Sequence, residues 1–316
     1  MPNKKRIISV VGPTASGKSA LALELAKRYD GEIVSCDSMQ IYREMNIGTA
    51  KPTAQEMLEV RHHMIDIVEP ETSFSCEDYA LLAAEAIDDI CSRGKLPIVC
   101  GGTGLYLDTL LRGGSSAPSI DTSDVRAKLC ARAEAEGIMP LYEELKAVDP
   151  ESAQAIHPNN EKRVIRALEI YLATGKTKSE LDKLSASTDS VYDATVVCLA
   201  YKNRQILYDR IDRRVDQMLS EGLVEETVKL LERGVFEANK TAAQAIGYKE
   251  LFSYLRGDES KDVAVENLKR ATRKYAKRQI TWFSAKSYVT PIFMDDENEI
   301  KSFEEIVKIA KNIFSL

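Results

Sequence analysis

Ile7-Ile8-Ser9-Val10-Val11-Gly12-Pro13-Thr14-Ala15-Ser16-Gly17-Lys18-Ser19 decides the reading of this chain. A short β-branched run stops at a glycine, and a helical pattern starts just after Ser19. Between them, Gly12 to Ser19 fits G-x4-G-K-[ST] in the strand-to-helix context that gives this motif its meaning. Glycines let backbone N–H groups turn inward toward phosphate oxygens. The helix N-terminus adds about half a positive charge. Gly12, Pro13, Thr14, Ala15, Ser16, Gly17, Lys18 and Ser19 are therefore the expected diphosphate- or triphosphate-binding residues. Lys18 would neutralise a terminal phosphate. The Ser19 hydroxyl is the expected ligand of Mg²⁺, the expected cofactor. A tight turn without a ligand is the alternative.

Outward from this loop, strand-like and helix-like segments alternate. Glu32 to Cys36 and Leu96 to Cys100 read as buried strands, and Tyr79 to Arg93 as an amphipathic helix with Leu82, Ala86 and Ile90 at i+4 spacing. Such alternation implies helices packed on a parallel sheet, with ligands beyond the C-terminal strand ends. The pattern changes after the turn-rich Gly113 to Ser119. From Ser123 to Leu184 it is helical, punctuated by Pro140, Pro150 and Pro158. Val196 to Ala200 reads as a strand rejoining the first sheet. Helical stretches run from Arg204 to Arg233 and from Val263 to Ser284. A late strand, Tyr288 to Met294, precedes a terminal helix. The predicted architecture is α/β: a P-loop NTPase-like parallel-sheet core over 1–114 and 190–316, carrying a helical insertion domain over 115–189.

With 316 residues, 44% hydrophobic and 29% charged, the chain has globular composition, which excludes disorder and low-complexity architectures. No apolar stretch approaches the ~18 residues of a membrane span, so no membrane partner is expected. The apolar run after the basic N-terminus is too short for a signal peptide. Six cysteines form no CxxC pair, so reduced thiols and a cytoplasmic setting are expected. A net charge of −6 opposes uniform attraction to nucleic acid and leaves room for a local basic surface.

Three further constellations bear on chemistry. Asp37 ends the second strand, about twenty residues past the loop, and projects toward the same crevice. With Ser38, Met39 and Gln40 it makes a polar turn, as a base with its donors or as a simple cap. Gly101-Gly102-Thr103-Gly104 ends the third strand, as a second phosphate contact or a compact turn. From Asn267 to Met294 there is no Asp or Glu, while Lys269, Arg270, Arg273, Lys274, Lys277, Arg278 and Lys286 alternate with aromatics. That combination suits RNA through phosphate contacts and stacking; a solvated helix face is the alternative. Lys162, Arg163 and Arg166 form a second basic segment. Arg210, Arg213 and Arg214 form a third, mixed with Asp209, Asp212 and Asp216 in expected i,i+4 pairs. The adjacent His62 and His63 are read as structural.

GPTASGKS at 12–19, DSMQIYR at 37–43, IGTAKPT at 47–53, HHMID at 62–66, GGTGLYL at 101–107, AIGYKEL at 245–251 and TRKYAKRQITWF at 272–283 together resemble the tRNA dimethylallyltransferases (tRNA isopentenyltransferases). The similarity runs through nearly the whole chain. It implies transfer of a dimethylallyl group from dimethylallyl diphosphate to N6 of adenosine 37 in tRNA. The P-loop would then hold the donor's diphosphate without ATP hydrolysis. The resemblance implies Asp37 as the base on the adenine amino group, Thr103 as a diphosphate contact, and Arg214, with Arg210 as runner-up, as the arginine reaching the diphosphate. It places the target base against Asp37, Ser38, Met39 and Gln40. It places tRNA contacts on Arg126, on Lys162, Arg163 and Arg166, on Gln244, Gly247 and Lys249, and on Lys277, Arg278, Gln279 and Trp282.

Two positions depart from the family pattern. Asn160 stands where many relatives have Asp, and Ser284 where Arg is usual. The competing activities are adenylate isopentenyl transfer and, further off, a P-loop kinase or ATPase. A monomer is expected.

Overall fold

The computed structural model describes residues 4–114, 122–186, 190–296 and 299–316. The turn-rich linker after Gly114, through Ser119, lies outside them. Two compact units divide the chain: Met1–Gly113 with Val191–Leu316, and Gly114–Ser190.

The first unit is built on six parallel strands: β1 (Arg6–Val11), β2 (Gly31–Cys36), β3 (His62–His63), β4 (Leu96–Gly101), β5 (Asp193–Ala200) and β6 (Val289–Phe293), in the order β3-β2-β4-β1-β5-β6. Strands covered on both faces read as continuous apolar runs, and β1 is buried from Ile7 to Val11. Its side chains still alternate. Ile8 and Val10 face a layer with Leu21, Leu25, Ile306 and Phe314, from the helices Lys18–Arg28 and Phe303–Phe314. Ile7 and Val11 face a layer with Ile87, Leu107 and Phe283. Each such fully buried aliphatic side chain contributes roughly 1.5–3 kcal/mol.

Register positions the functional end of the sheet. Val11 is level with Gly101 on one side and Cys198 on the other, and Cys36 is level with Gly101. The loops that start at Gly12, Asp37 and Gly102 therefore leave the sheet side by side.

The structure differs from the sequence reading in three elements. The helical stretch from Arg204 to Arg233 is two helices, Arg204–Ser220 and Leu223–Glu232. Gly222, at φ 103°, breaks it in a conformation that favours glycine. The predicted helix from Tyr79 begins earlier, at Cys76, where Ser75 and Asp78 form a capping box. His62–His63 is an edge strand paired with β2. There His63 Nε2 lies 2.7 Å from a Glu32 carboxylate oxygen, and Arg93 grips the same carboxylate with both terminal nitrogens.

The second unit is helical, with a core of Leu141, Leu145, Val164 and Leu168. Pro150 starts the helix Pro150–Ala155 at a position that needs no N–H. Asn160 does cap Glu161–Thr174, its side chain accepting from Arg163 N, so this departure from the family pattern costs no cap. A buried carboxylate, Glu169, accepts from Thr122 Oγ1 and Arg166 at 2.5 Å each and pairs with Arg126 at 3.4 Å. Arg126 and Arg166, expected at RNA, thus each share a guanidinium with Glu169. Lys162 and Arg163 are exposed, with no ion pair among the described residues.

Candidate active site

At the C-terminal ends of β1, β2 and β4 lies a cavity of about 440 Å³. Thr14, Ala15, Lys18 and Ser19 form its phosphate-loop wall, and Asp37 to Gln40 the wall beside it. The loop turns because Gly17 takes φ 97° immediately before the helix Lys18–Arg28. Lys18 Nζ donates to the Pro13 carbonyl at 3.3 Å, and Tyr201 O–H to the Ser16 carbonyl at 3.2 Å. The first-turn N–H groups of the helix have no partner in the helix itself, which makes them anion donors.

The arginine helix Arg204–Ser220 crosses this loop. Arg214 lines the cavity and makes no hydrogen bond or ion pair with a described residue. Burial holds its guanidinium below the ordinary value, Glu221 and Asp37 oppose that, and Arg210 adds to it. Lys18 is lowered in the same way, chiefly by burial, with Cys100 and Asp37 opposing and Arg214 reinforcing. Two half-buried cations that repel each other, with Asp37 the acid acting on both, constitute a site that an anion would relieve.

The acids of the arginine helix do not pair with its own arginines as expected. Asp212 binds Arg273 at 2.5 Å and Asp216 binds Lys269 at 2.7 Å, both on the basic helix Lys261–Ser284. These bonds dock the two helices and consume part of the basic run. Lys286 is likewise bound to Asp108 at 2.6 Å. Lys274 and Lys277 stay exposed without an ion pair among the described residues, and exposed Arg278 lies 5.5 Å over the Tyr275 ring. With Arg270, exposed and bonded to Asn267, they are the part of the run without ion pairs among the described residues.

Four predicted residues are engaged by other groups of the protein. The Thr103 hydroxyl is not on the cavity wall; it accepts from Ser38 N at 3.0 Å and lies 3.3 Å from Ser38 Oγ. Gln40 lines the cavity, but its amide is spent within the protein: Oε1 accepts from Ser35 Oγ, and Nε2 donates to the Thr49 and Ala50 carbonyls. Gln279 is buried, with both ends of its amide bonded to backbone, where it also borders the cavity. Trp282 is half exposed on the outer side of the basic helix; a Cβ on Gly104 would come within 2.2 Å of its indole. Asp37 keeps both readings. One oxygen accepts from Met39 N at 2.9 Å, as in a cap, and the residue also faces the cavity.

Gln244, Gly247, Lys249 and Arg278 complete the opposite wall. What holds that wall was missed by sequence reasoning. The Glu226 carboxylate accepts from the backbone N–H groups of Asn46, Ile47 and Gly48 and from Tyr248 O–H at 2.8 Å. It thereby ties the 46–48 loop to the 245–251 segment.

The family described as IPP transferase matches residues 40–286. The chain belongs to this family. The phosphate loop and Asp37 lie ahead of the matched span, so their geometry is independent support. A relative described as tRNA dimethylallyltransferase, from Caldanaerobacter subterraneus subsp. tengcongensis, is 49% identical over 98% of this chain and 96% of its own length. Among solved structures, the full-length tRNA isopentenylpyrophosphate transferase of Bacillus halodurans is 44% identical, with a TM-score of 0.72 over 99% of this chain and 96% of that one. A eukaryotic dimethylallyltransferase, described as acting on tRNA, is 30% identical with a TM-score of 0.80, over 98% of this chain and 80% of that one. Members of this family share the P-loop NTPase-like core seen here.

Proposed function

We propose that this chain transfers the dimethylallyl group of dimethylallyl diphosphate to N6 of adenosine 37 in tRNA. The observation that carries the proposal is one cavity with Lys18 and Arg214 at the phosphate loop and Asp37 at the end of β2. In the reaction the N6–C1 bond forms as the allylic C1–O bond breaks. The electron pair of that bond leaves with the diphosphate, and an amino proton passes to the Asp37 carboxylate. Negative charge gathers on the diphosphate as the bond lengthens, and Lys18, Arg214 and the loop N–H groups meet it there.

The exocyclic amine is a weak nucleophile because its lone pair is delocalised into the ring. Alignment by Asp37 therefore matters as much as proton acceptance. Ser19, exposed at the first helical turn and on the cavity wall, fits Mg²⁺, which favours few protein oxygens together with substrate phosphates. Mg²⁺ would supply further charge neutralisation at the diphosphate. Exposed Lys274, Lys277 and Arg278 would take the RNA backbone, with the target base extruded from its stack. No helix among the described residues is long and apolar enough to cross a membrane, and a tRNA substrate suits work in the cytoplasm.

The test is an incubation with labelled dimethylallyl diphosphate and Mg²⁺, with anticodon stem-loop RNA, AMP and ATP as parallel acceptors. Label in the RNA alone is expected. Label in a free nucleotide would assign adenylate isopentenyl transfer, and ATP consumption without label would assign an ATPase.

A further inference from the structure

Gln279 lies on the inner side of the basic helix and is 5% exposed. Its Oε1 accepts from Thr14 N at 2.9 Å, and its Nε2 donates to the Gly102 carbonyl at 3.0 Å. One partner lies on the loop after β1 and the other on the loop after β4, strands paired in the sheet. A buried amide satisfies both ends only when the two loops stand at one spacing. The fit is close: a Cβ on Gly102 would come within 2.1 Å of Nε2 and 3.4 Å of the Gly12 carbonyl.

Each loop reaches a reacting group. The Thr14 loop carries Lys18. The Gly102 loop continues into Thr103, whose N–H donates to the Cys36 carbonyl at 3.1 Å and whose hydroxyl accepts from Ser38 N at 3.0 Å. Asp37 sits between those two contacts. Beyond the ladder that pairs β1, β4 and β2, the loops are thus joined from Lys18 toward Asp37 through the Gln279 side chain.

We infer that Gln279 is a positioning residue, which fixes the phosphate loop against the Asp37 turn and so aligns the leaving diphosphate with the attacking amine. The inference rests on the transfer reaction proposed above. Glutamine, with a donor end and an acceptor end at this reach, satisfies both partners. Glutamate would keep the bond to Thr14 and set an oxygen against the Gly102 carbonyl. Methionine would keep the shape and lose both bonds.

Alignment errors of about 1 Å cost up to ~10²-fold in rate. Gln279→Met should therefore lower kcat about 30–100-fold per active site. Its KM for stem-loop RNA and its affinity for inorganic diphosphate, measured separately, should stay within about 3-fold. Gln279→Glu, ionised at about pH 8, should be no better than Gln279→Met. A direct RNA contact would instead raise KM, and a merely structural role would lower the melting temperature while sparing kcat per titrated site; either pattern overturns the inference.

Should Gln279→Met fail to fold, Gly102→Ala strains the same junction and should reproduce the kcat-selective loss. Combined with Gln279→Ala, its effect should be non-additive; simple additivity counts against the clamp. Amide hydrogen exchange at Thr14 reads the clamp without any reaction. It should speed up in Gln279→Met, and unchanged exchange overturns the inference. Absence of transfer by the wild-type protein, with Thr14 exchange responding as expected, would overturn the reaction and leave the clamp standing.

Discussion

Arg210 and Ala15 are joined across 195 positions of chain, Nε donating to the Ala15 carbonyl at 2.8 Å. One turn further along the same helix, Arg214 has no such bond and faces the cavity with Lys18. The helix thus divides two duties between arginines four residues apart. One holds the loop and the other faces the cavity.

Arg214→Ala should lower kcat by about 10²–10³, the usual loss of one charge-stabilising donor. Arg210→Ala should lower kcat by less, because Arg210 is spent on the Ala15 carbonyl and does not line the cavity. Steady-state kinetics of the two variants separate the roles. If the larger kcat loss falls on Arg210, the division is reversed.

Asp37→Asn keeps the acceptor toward Met39 N and removes the base. Transfer should fall by at least about 10²-fold, while stem-loop affinity stays within about 2-fold. Filter binding and single-turnover transfer measure the two quantities. A variant at near wild-type rate would make Asp37 a cap only.

Glu32 carries the acid sensitivity of the sheet edge. Arg93, and with it His63, holds the Glu32 carboxyl down to about 2 against an ordinary 4.5. A carboxyl with a lowered folded value stabilises fully above about pH 4.5 and loses that contribution as pH falls toward about 2. Glu32→Gln should cost about 2 kcal/mol near pH 7 and flatten the acid limb across that window. Urea melts from pH 7 to pH 2.5 test this. Parallel curves for the two proteins would contradict it.

Cys36 precedes Asp37 yet should be chemically quiet. Burial pushes its thiol up to about 12, which leaves little thiolate at pH 8. Iodoacetamide should spare Cys36 in the native protein and modify it after denaturation, as mass spectrometry of peptides would show. Rapid native labelling would mean that this strand end opens.

The phosphate loop and the three strand ends were legible because their signals are local: a motif of eight residues and short apolar runs. The features that were not legible join distant positions. Gln279 reaches Thr14 across 265 positions and Gly102 across 177, so only the family resemblance spoke for it, and it pointed to the RNA. Glu226 reads as one more surface acid on an amphipathic helix, although it accepts the N–H groups of a loop about 180 positions earlier. Asp212 and Asp216 share their helix with Arg210, Arg213 and Arg214, and only packing shows that they pair with the neighbouring helix. His62–His63 is too short for any periodicity to mark as a strand. The break at Gly222 had a visible signal, the glycine itself, that was outweighed by helical spacing on both sides.

The account turns on N6 of one adenosine as the acceptor. The most direct measurement compares two synthetic anticodon stem-loops, one with adenosine at position 37 and one with purine riboside, which lacks only the amino group. Both are incubated with the protein, dimethylallyl diphosphate and Mg²⁺, and their nucleosides are analysed by mass spectrometry. The account predicts one added five-carbon unit at position 37 of the first RNA and none on the second. Equal prenylation of both would contradict it.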